Sequence, residues 1–488
     1  MSFRRDRRGF IFSLDATLAM LIMIIVMAGV ARVSGPEMVY GQHGYLRLER
    51  YANDALTVMD TLDILENIVR DVEYGDTASA ENTARAWLRK ILPEDVQFKL
   101  VFGDDLLTAY PTDAPGWSSA FSAAGEVATA VRMATYWDGT HWSTQIIDST
   151  GNTGQYTSIA LDSSGYPHIS YYDDTTDNLM YARWTGFDWA IWAVQKTGDV
   201  GKYTSIALDN RGYAHISYYY DSTFPASRAL RYVYWDGNGW VFSSVDRNNV
   251  GQYTSIALDN NGRARISYYD QGNQRLKYAR WTGAAWNIQI VDDSANNVGQ
   301  YTSLALDENW NPHISYYDVT NRNLKYARWT GSSWSIQTVD SSVNDVGQYT
   351  SIALDSSWRP HISYYDDSNK DLKYARWTGS AWDIQTVDSA GFVGMYTSID
   401  LDGNDNPHIA YFDDTADDLK YAWWNGNSWR TITVDSQGDV GTYTSMALVA
   451  RGYPHISYYD GTNGDLKYAR SLWDFVPITL YVWRGTSI

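Results

Sequence analysis

Seven tyrosines occupy one repeated position of this 488-residue chain, each as the first residue of a Tyr-Thr-Ser tripeptide. Loops rich in aspartate and asparagine recur at a second position, as in residues 173–178, 366–371 and 413–418. Sugar-binding sites combine an aromatic surface with a few well-placed amide and carboxylate groups. Two interpretations stay open: the tyrosines bind a surface glycan, or they pack against their neighbours while the acidic loops form solvated turns. The candidate ligand-binding residues are Tyr156, Tyr203, Tyr253, Tyr301, Tyr349, Tyr396 and Tyr443.

Six of the eight histidines share a further repeated position, where the remaining repeat carries Arg265. A metal site needs several ligands about 2 Å from one ion, and equivalent positions in separate repeats converge only where they face a common axis. Arginine is a hydrogen-bond donor and a poor metal ligand. We therefore expect a structural hydrogen bond in each repeat and predict no metal site and no cofactor. The six residues are His168, His215, His313, His361, His408 and His455.

The charge and composition of the chain argue against several classes of function. A formal net charge of −19 disfavours nucleic acid and anionic lipid surfaces as partners. The chain has no cysteine, so disulfides, thiol chemistry and cysteine-ligated metals are not available to it. The repeats are nearly identical, and none carries the unusual acid–base cluster that an enzyme needs at one position. We therefore predict a binding protein without catalytic residues rather than an enzyme.

The spacing of the tyrosines indicates the architecture that presents them. They recur at intervals of 47, 50, 48, 48, 47 and 47 residues, a period typical of repeat folds. Within Tyr349–Asp388, four short β-branched and aromatic segments are separated by Asp, Ser, Asn and Gly, which predicts four strands joined by turns. Four antiparallel strands repeated radially form the blades of a β-propeller. The motif Trp-x-Gly-x-x-Trp also occurs seven times, so we predict seven blades within residues 134–470.

The first and last repeats are incomplete, which indicates how the ring closes. The first Trp-x-Gly-x-x-Trp hairpin, from Trp137 to Trp142, precedes the first Tyr-Thr-Ser tripeptide, and none follows the last. We expect the chain to open with the outer half of a blade and to finish with its inner half, which leaves no free sheet edge. Residues 131–137 and 466–470 both resemble the third strand of this closing blade, and the sequence does not choose between them.

A basic segment and an apolar run precede the repeats. Met1–Gly9 contains four arginines, and Phe10–Val30 has Asp15 as its only charge. A helix of this length spans about 31 Å and matches a bilayer core, and the arginines place its N-terminus in the cytoplasm. We therefore predict that residues 1–33 form a basic segment and a transmembrane helix that anchors the protein in a membrane, with everything that follows outside the cell.

The segments on either side of the repeats predict a small α+β domain. Apolar residues recur at helical spacing in residues 45–72, and a second helix is predicted at Ser79–Ile91. We expect a head domain formed by residues 34–133 and completed by residues 471–488, with the propeller inserted where its two ends lie close together. Its predicted strands are Val96–Phe102, Val127–Met133 and Phe475–Trp483.

Two sequence patterns resemble known families. Residues 7–26, RRGFIFSLDATLAMLIMIIV, resemble the class III signal of type IV pilins and archaeal pilin-like proteins. This resemblance implies cleavage between Gly9 and Phe10 and self-assembly of the helix into a filament, where Asp15 would neutralise the new terminal amine. Asp15 is the sixth residue after Gly9, whereas that family usually has a glutamate at the fifth. The Trp-x-Gly-x-x-Trp hairpins are similar to the Asp-box of sialidase-like propellers, which implies a folding element without activity.

These expectations combine into one fold class and three functional hypotheses. The chain is predicted to be mainly β, with a seven-bladed β-propeller of four-stranded blades, an N-terminal transmembrane α-helix and a small α+β pilin-like head. The leading hypothesis is an extracellular, pilin-like surface protein, a filament subunit or adhesin, that displays the propeller for ligand or surface binding. The alternatives are a single-pass, membrane-anchored lectin-like propeller outside any filament and an extracellular carbohydrate-active enzyme.

Overall fold

The chain forms two compact units. Among the described residues, the smaller unit consists of those up to Val72, Asp76–Ala134 and those from Val476 onward, and the larger unit consists of Glu73–Gly75 and Thr135–Phe475. The computed structural model describes residues 42–61, 64–73, 77–94, 96–102, 107–109, 127–136, 141–223, 226–294, 297–342, 345–449, 452–472 and 474–484.

The described part of the smaller unit contains helices and one four-stranded sheet. The helices are α1 (Gln42–Thr61), α2 (Ile64–Glu73) and α3 (Thr77–Ile91). The first two cover the described part of the helix predicted over residues 45–72. The strands, numbered along the whole chain, are β1 (Val96–Phe102), β2 (Leu107–Ala109), β3 (Val127–Tyr136) and β32 (Asp474–Arg484). They are hydrogen-bonded in the order β2–β1–β32–β3. The sheet therefore combines strands from both ends of the described chain.

The predicted fold class is corrected on one point, the membrane helix. Among the residues from 42 onward that the structure describes, no helix is long and apolar enough to cross a membrane. The longest, α1, carries five charged residues between Arg47 and Asp60, and charges are costly within a bilayer. The described fold therefore provides neither the membrane anchor nor the self-assembly helix that was predicted. The segment Phe10–Val30 and the sites Gly9, Phe10 and Asp15 lie outside the described residues.

The larger unit contains seven four-stranded sheets, each made of antiparallel strands. The four strands predicted within Tyr349–Asp388 form one of them, blade 5. Blade 1 contains β5 (Thr153–Leu161), β6 (Pro167–Asp173), β7 (Asn178–Trp184) and β8 (Trp189–Gln195); blade 2 contains β9 (Asp199–Leu208), β10 (Ala214–Thr223), β11 (Ala226–Trp235) and β12 (Trp240–Arg247); blade 3 contains β13 (Gln252–Leu258), β14 (Ala264–Asp270), β15 (Arg275–Trp281) and β16 (Trp286–Asp292); blade 4 contains β17 (Val298–Leu306), β18 (Pro312–Asp318), β19 (Asn323–Trp329) and β20 (Trp334–Asp340). Blade 5 contains β21 (Val346–Leu354), β22 (Pro360–Asp366), β23 (Asp371–Trp377) and β24 (Trp382–Asp388); blade 6 contains β25 (Val393–Leu401), β26 (Pro407–Asp413), β27 (Asp418–Trp424) and β28 (Trp429–Asp435); blade 7 contains β29 (Val440–Leu448), β30 (Pro454–Asp460), β31 (Asp465–Ser471) and β4 (Trp142–Asp148).

The seven blades form a closed ring. The innermost strand of each blade contacts the innermost strand of the next, and β29 of blade 7 contacts β5 of blade 1. Radial repetition of four-stranded sheets around one axis is the β-propeller architecture. The prediction of a propeller with four-stranded blades is therefore confirmed.

The closing blade differs from the predicted one. It takes three strands from the end of the propeller sequence and only its outermost strand, β4, from the beginning. Leu466 pairs with Asp148, so residues 466–470 complete the blade. Residues 131–136 lie in β3, which belongs to the sheet of the smaller unit. Of the two segments that the sequence left open, residues 466–470 therefore form the third strand, and the blade takes three strands from one end and one from the other instead of two from each.

Packing between blades explains the burial of their strands. The second strand of blade 5, β22, is buried along its whole length, because a blade in the ring is covered on both faces. The outermost strand, β24, exposes alternate residues such as Ile384 and Thr386. Apolar clusters lie between blades rather than within them, as where Leu324 of blade 4 packs with Ile362 and Tyr364 of blade 5. The core therefore fixes each blade against its neighbours.

Candidate functional site

The Tyr-Thr-Ser motif lies at a bulge in the innermost strand of each blade. In blade 5 the register shifts between Gln348 and Ser351, and all seven motif tyrosines have a φ of 51–55°, a left-handed conformation that such residues seldom adopt. Two residues before the tyrosine, Gly347 has a φ of +106°, and a Cβ there would lie 2.6 Å from the Cα of Leu324 in blade 4. Close backbone contact between blades thus requires this glycine, and the bulge directs the tyrosine toward the axis.

The threonine and serine of the motif form hydrogen bonds between neighbouring blades. Thr350 of blade 5 donates a 2.9 Å hydrogen bond to the Oγ of Ser315 in blade 4. The backbone N–H of Ile352 donates to the Oγ of Ser303 at 3.2 Å. This second contact recurs at all seven blade boundaries. Two of the three motif residues therefore have a structural role that holds the tyrosine in place.

The seven predicted ligand-binding tyrosines meet on the propeller axis. Each ring contacts the next with centroids 4.5–5.0 Å apart, and Tyr443 closes the circle on Tyr156. Seven such steps place the centroids about 5 Å from the axis. Neighbouring ring planes differ by 47–54°, and successive blades of a seven-fold propeller are rotated by about 51°. The rings therefore stand along the axis rather than lying across it.

These seven rings, the tyrosine collar, surround an open pocket of about 180 Å³ together with the seven motif threonines. Burial raises the pKa of all seven phenols, to about 12 for Tyr443, so they are neutral in physiological conditions. After burial, the neighbouring phenols of Tyr443 and Tyr203 raise the pKa of Tyr156 further. The tyrosines thus pack against each other, as the structural interpretation expected, and they also enclose a cavity. Ligand binding by the collar stays a prediction.

A second cavity, of about 430 Å³, lies between blades 5 and 6. It is at the end of the propeller where the third strand of each blade turns into the fourth. Trp377 and Trp424, the last residues of the third strands, line it from the two blades, and Trp429 packs edge to face on Tyr374 at 5.1 Å. The polar side chains of this crevice include Arg359, Arg376, Gln385 and Asn404.

Two arginines bring positive charge to the crevice. Arg359 donates through Nε to Asp355 at 2.7 Å, and Arg376 donates through Nε to Asp383 at 3.0 Å. Their side chains are 45% and 51% exposed. A guanidinium has five N–H donors. Both arginines can therefore donate to a ligand while they keep these ion pairs.

Asp405 distinguishes the crevice from the equivalent positions between other blades. Blades 4 and 5 carry Trp310 and Trp358 at this loop position, and the other four blades carry glycine. The three non-glycine residues have a φ of 61–63°, so the loop makes the same left-handed turn. The Asp405 carboxylate accepts hydrogen bonds from the backbone N–H and hydroxyl of Ser356 at 2.8 and 2.6 Å. The crevice was not predicted from the sequence, although the break in the repeat at Asp405 is a signal that could have revealed it.

The repeated histidines form the structural hydrogen bond that was predicted. The Nδ1 of His361 is bonded to the hydroxyl of Tyr374 at 2.6 Å, and its Nε2 lies 3.6 Å from Asp355. In blade 3, Arg265 replaces histidine and donates directly to Asp259 at 2.9 Å. Within the described stretches of the chain, no group of three or more His, Cys, Asp or Glu is arranged to hold a metal ion. The bond to tyrosine recurs at His168, His215, His313, His408 and His455.

Fold and cavities together define a seven-bladed β-propeller protein with an axial aromatic collar and a crevice between two blades. No protein-family model and no curated protein sequence matches the chain. Similar solved structures include a protein of unknown function from Dyadobacter fermentans, with 10% identity, 72% of this chain and 98% of that chain covered, and a TM-score of 0.43. The Aleuria aurantia lectin in complex with Fucalpha1-6GlcNAc has 14% identity, coverages of 60% and 97%, and a TM-score of 0.42. An α-L-arabinofuranosidase from Fusarium graminearum has 11% identity, coverages of 68% and 98%, and a TM-score of 0.41. Scores this low carry no argument about function.

Proposed function

We propose that the propeller binds a glycan in the crevice between blades 5 and 6. The observation that carries the proposal is the composition of this cavity of about 430 Å³, which is lined by aromatic rings, two guanidiniums and amide groups. A sugar ring presents apolar C–H faces and several hydroxyls, so it needs an aromatic surface and multiple hydrogen-bonding groups in one concave site. Trp377 and Trp424 supply the surface, and Arg359, Arg376 and Asn404 supply the polar partners.

The proposal is for binding without hydrolysis. A glycosidase commonly uses two carboxyl groups, one of which a raised pKa keeps protonated. Asp355 has the opposite property. Burial raises its pKa, but hydrogen bonds from the backbone N–H and the guanidinium of Arg359 outweigh burial and hold the pKa below its ordinary value. The second carboxylate, Asp405, is bonded to Ser356 of the neighbouring blade. Both carboxylates thus serve the shape of the crevice.

A glycan array probed with the purified chain tests the proposal, and isothermal titration of the strongest ligand measures its affinity. Trp424→Ala and Arg376→Gln remove one aromatic and one polar wall, and each is expected to weaken binding at least about tenfold, as for central residues of other binding sites. Arg328→Gln is the matched control, since Arg328 has the equivalent position in blade 4. Affinity that survives both crevice variants, or binding to no glycan, would reject the proposal. Release of a shortened sugar would show that the propeller hydrolyses its ligand and would contradict the proposal of binding alone.

We also propose that the chain is exported to the cell surface and processed between Gly9 and Phe10. The support is the resemblance of residues 7–26 to class III signals, and residues 1–41 lie outside the described structure. Mass spectrometry of the N-terminal peptide from native envelope and sheared surface fractions tests this. A mature chain that starts at Phe10 supports processing, whereas an intact Met1 or Ser2 rejects it.

A further inference from the structure

A cationic side chain in the third strand recurs at the blade boundaries. In blade 4 it is Lys325, which is bonded to Asp292 of blade 3 and has its Nζ 3.8 Å from the carboxylate of Asp318 in its own blade. The same two carboxylate positions accompany Lys277, Lys373, Lys420 and Lys467. Two carboxylates thus compensate each lysine, because an unpaired charge is costly to bury. Arg231 is the counterpart of these lysines in blade 2.

Arg231 has neither of the two carboxylates. Gln195 and Tyr220 stand at their positions, and the amide oxygen of Gln195 already accepts a hydrogen bond from the hydroxyl of Tyr218. The guanidinium of Arg231 lies 4.4 Å from the centre of the Tyr220 ring, and its Nε is buried without a hydrogen-bond partner among the described residues. A guanidinium has five N–H donors. The boundary between blades 1 and 2 therefore holds a positive charge that lacks a counter-charge.

Arg247 brings a second guanidinium to this boundary. It is the last residue of β12, and its Nε donates to the hydroxyl of Ser244 at 3.2 Å. Ser244 pairs with Arg231 across β11 and β12, and directly opposed residues of antiparallel strands lie on the same face of a sheet. The adjacent carboxylate of Asp246 is bonded to Lys277 of blade 3. Both arginines therefore extend from the face of blade 2 that is turned toward blade 1.

Two carboxylates at this end of blade 2 already have partners. Asp199 is paired with Lys202 at 2.5 Å, and Asp221 is paired with Arg228 at 2.9 Å. The hairpin of blade 2 also departs from the repeat, since β10 and β11 have ten residues each and the second and third strands of the other blades have seven. Each of these carboxylates thus compensates another cation, and blade 2 differs from the other blades here in both charge and shape.

We propose that Arg231 and Arg247 bind a phosphate group at the boundary between blades 1 and 2. A guanidinium presents its N–H donors as a planar fork that matches the oxygens of a phosphate. A phosphate group carries up to about two negative charges near neutral pH, so one such group supplies the charge of the two missing carboxylates. Gln195 is the last residue of β8, which places the site at the opposite end of the blades from the crevice. The site is therefore independent of glycan binding.

Titration with sodium phosphate at about pH 8, where phosphate is mostly a dianion, tests the proposal. Sodium chloride holds the ionic strength constant, and phosphorus NMR line widths follow binding. Glycerol phosphate is the second probe, because a free phosphate ion and a phosphate ester share the chemistry that the arginines recognise. Equal affinity for the two probes identifies the free ion as the ligand, and tighter binding of the ester identifies a phosphorylated compound. Binding of neither probe would overturn the proposal.

Gln195→Asp restores the carboxylate that the other six blades carry at this position. The new carboxylate should pair with Arg231, and phosphate affinity should fall at least about tenfold, the effect of one hydrogen bond to a charged group. Gln437→Asp adds the same charge at an exposed glutamine between blades 6 and 7 and is the matched control, which should bind phosphate as the wild type does. Affinity that survives Gln195→Asp, or that falls equally in the control, would overturn the assignment to this boundary.

Two further variants remove the guanidiniums one at a time. Arg231→Met copies blade 1, where Met180 stands at this position, and Arg247→Gln changes an exposed side chain. Each should weaken phosphate binding at least about tenfold, and unchanged affinity in either variant would contradict the proposed pair. Thermal melting verifies the fold of every variant. Trp424→Ala, which damages the crevice, should leave phosphate binding unchanged, so the two proposals fail separately.

Discussion

The hydroxyl of Tyr316 in blade 4 donates a 2.7 Å hydrogen bond to Asp292 at the end of blade 3. Lys325 of blade 4 bonds the same carboxylate, and the side chains of Asp292 and Lys325 are only 1% and 9% exposed. Removing one partner of a buried ion pair leaves an uncompensated charge, so this trio fixes how the two blades meet. It recurs around Asp246, Asp340, Asp388 and Asp435.

We expect loss of the carboxylate from this trio to cost more than loss of the amine. Asp292→Ala removes the main partner of Lys325, which keeps only Ser294 at 3.1 Å and the carboxylate of Asp318 at 3.8 Å. It should lower the free energy of unfolding by about 3–5 kcal/mol. Lys325→Met copies blade 1, where Met180 stands at the lysine position and Asp148 keeps the phenol of Tyr171. That variant should cost about 1.5–3 kcal/mol, the range of one hydrogen bond to a charged group. Urea denaturation measures both, and equal losses would contradict this account.

The buried histidines link propeller stability to pH. Burial lowers the pKa of His361 to about 4, and the carboxylate of Asp355 offsets only part of this effect. An unfolded histidine has a pKa of about 6.5, so between these values the unfolded chain binds more protons than the folded chain. The contribution to stability is therefore complete above the unfolded pKa and is lost as pH falls toward the folded one. The pKa is also lowered to about 4 at His168, His215, His313 and His455.

His361→Arg is expected to reduce by one the number of protons that the chain takes up on unfolding in this pH range. Blade 3 shows that the fold accepts arginine here, since Arg265 forms an ion pair with Asp259 at 2.9 Å. Between about pH 6 and pH 5 the slope of the unfolding free energy against pH should fall by up to about 1.4 kcal/mol per pH unit. Chemical denaturation across this interval measures the slope, with His141→Gln as a control at an exposed histidine outside the repeated position. An unchanged slope in His361→Arg would show that this histidine does not titrate on unfolding.

Gly347 and Gly379 both have a backbone conformation that favours glycine, but only Gly347 also lies against the backbone of a neighbouring blade. Their φ angles are +106° and +100°, but a Cβ at Gly347 would lie 2.6 Å from the backbone of Leu324, whereas Gly379 has nothing within 4 Å. Gly379→Ala introduces backbone strain alone and should cost about 1–2 kcal/mol. Gly347→Ala must also separate blades 4 and 5 and should cost about 3 kcal/mol or more. Melting temperatures test this, and equal values for the two variants would show that the blade contact relaxes freely.

Some features of the structure could be predicted from the sequence, and others could not. The spacing of the Tyr-Thr-Ser motif predicted the position of every blade, because the motif occurs once in each. Arg265 indicated that the histidine position forms a hydrogen bond, because arginine can replace histidine as a donor but not as a metal ligand. The closing strand could not be chosen, since residues 131–137 and 466–470 are alike and only pairing with β4 separates them. The crevice depends on one departure from the repeat, Asp405, whose effect arises only where two blades meet. Local patterns therefore predicted the blades, whereas contacts between distant segments decided the closure and the crevice.

Asp405→Trp is expected to fill the crevice between blades 5 and 6 without disturbing the fold. Trp310 and Trp358 occupy the equivalent positions with φ angles of 61° and 62°, against 63° for Asp405, so this loop already accepts tryptophan. An indole at a position that lines the cavity of about 430 Å³ would displace a bound sugar, and glycan affinity should fall at least about tenfold. Asp405→Gly, the residue of four other blades, is the matched control because it loses the bond to Ser356 but leaves the space open. If titration shows that both variants lose glycan affinity equally, the effect belongs to the missing carboxylate. Full glycan affinity in Asp405→Trp would exclude this crevice as the glycan site.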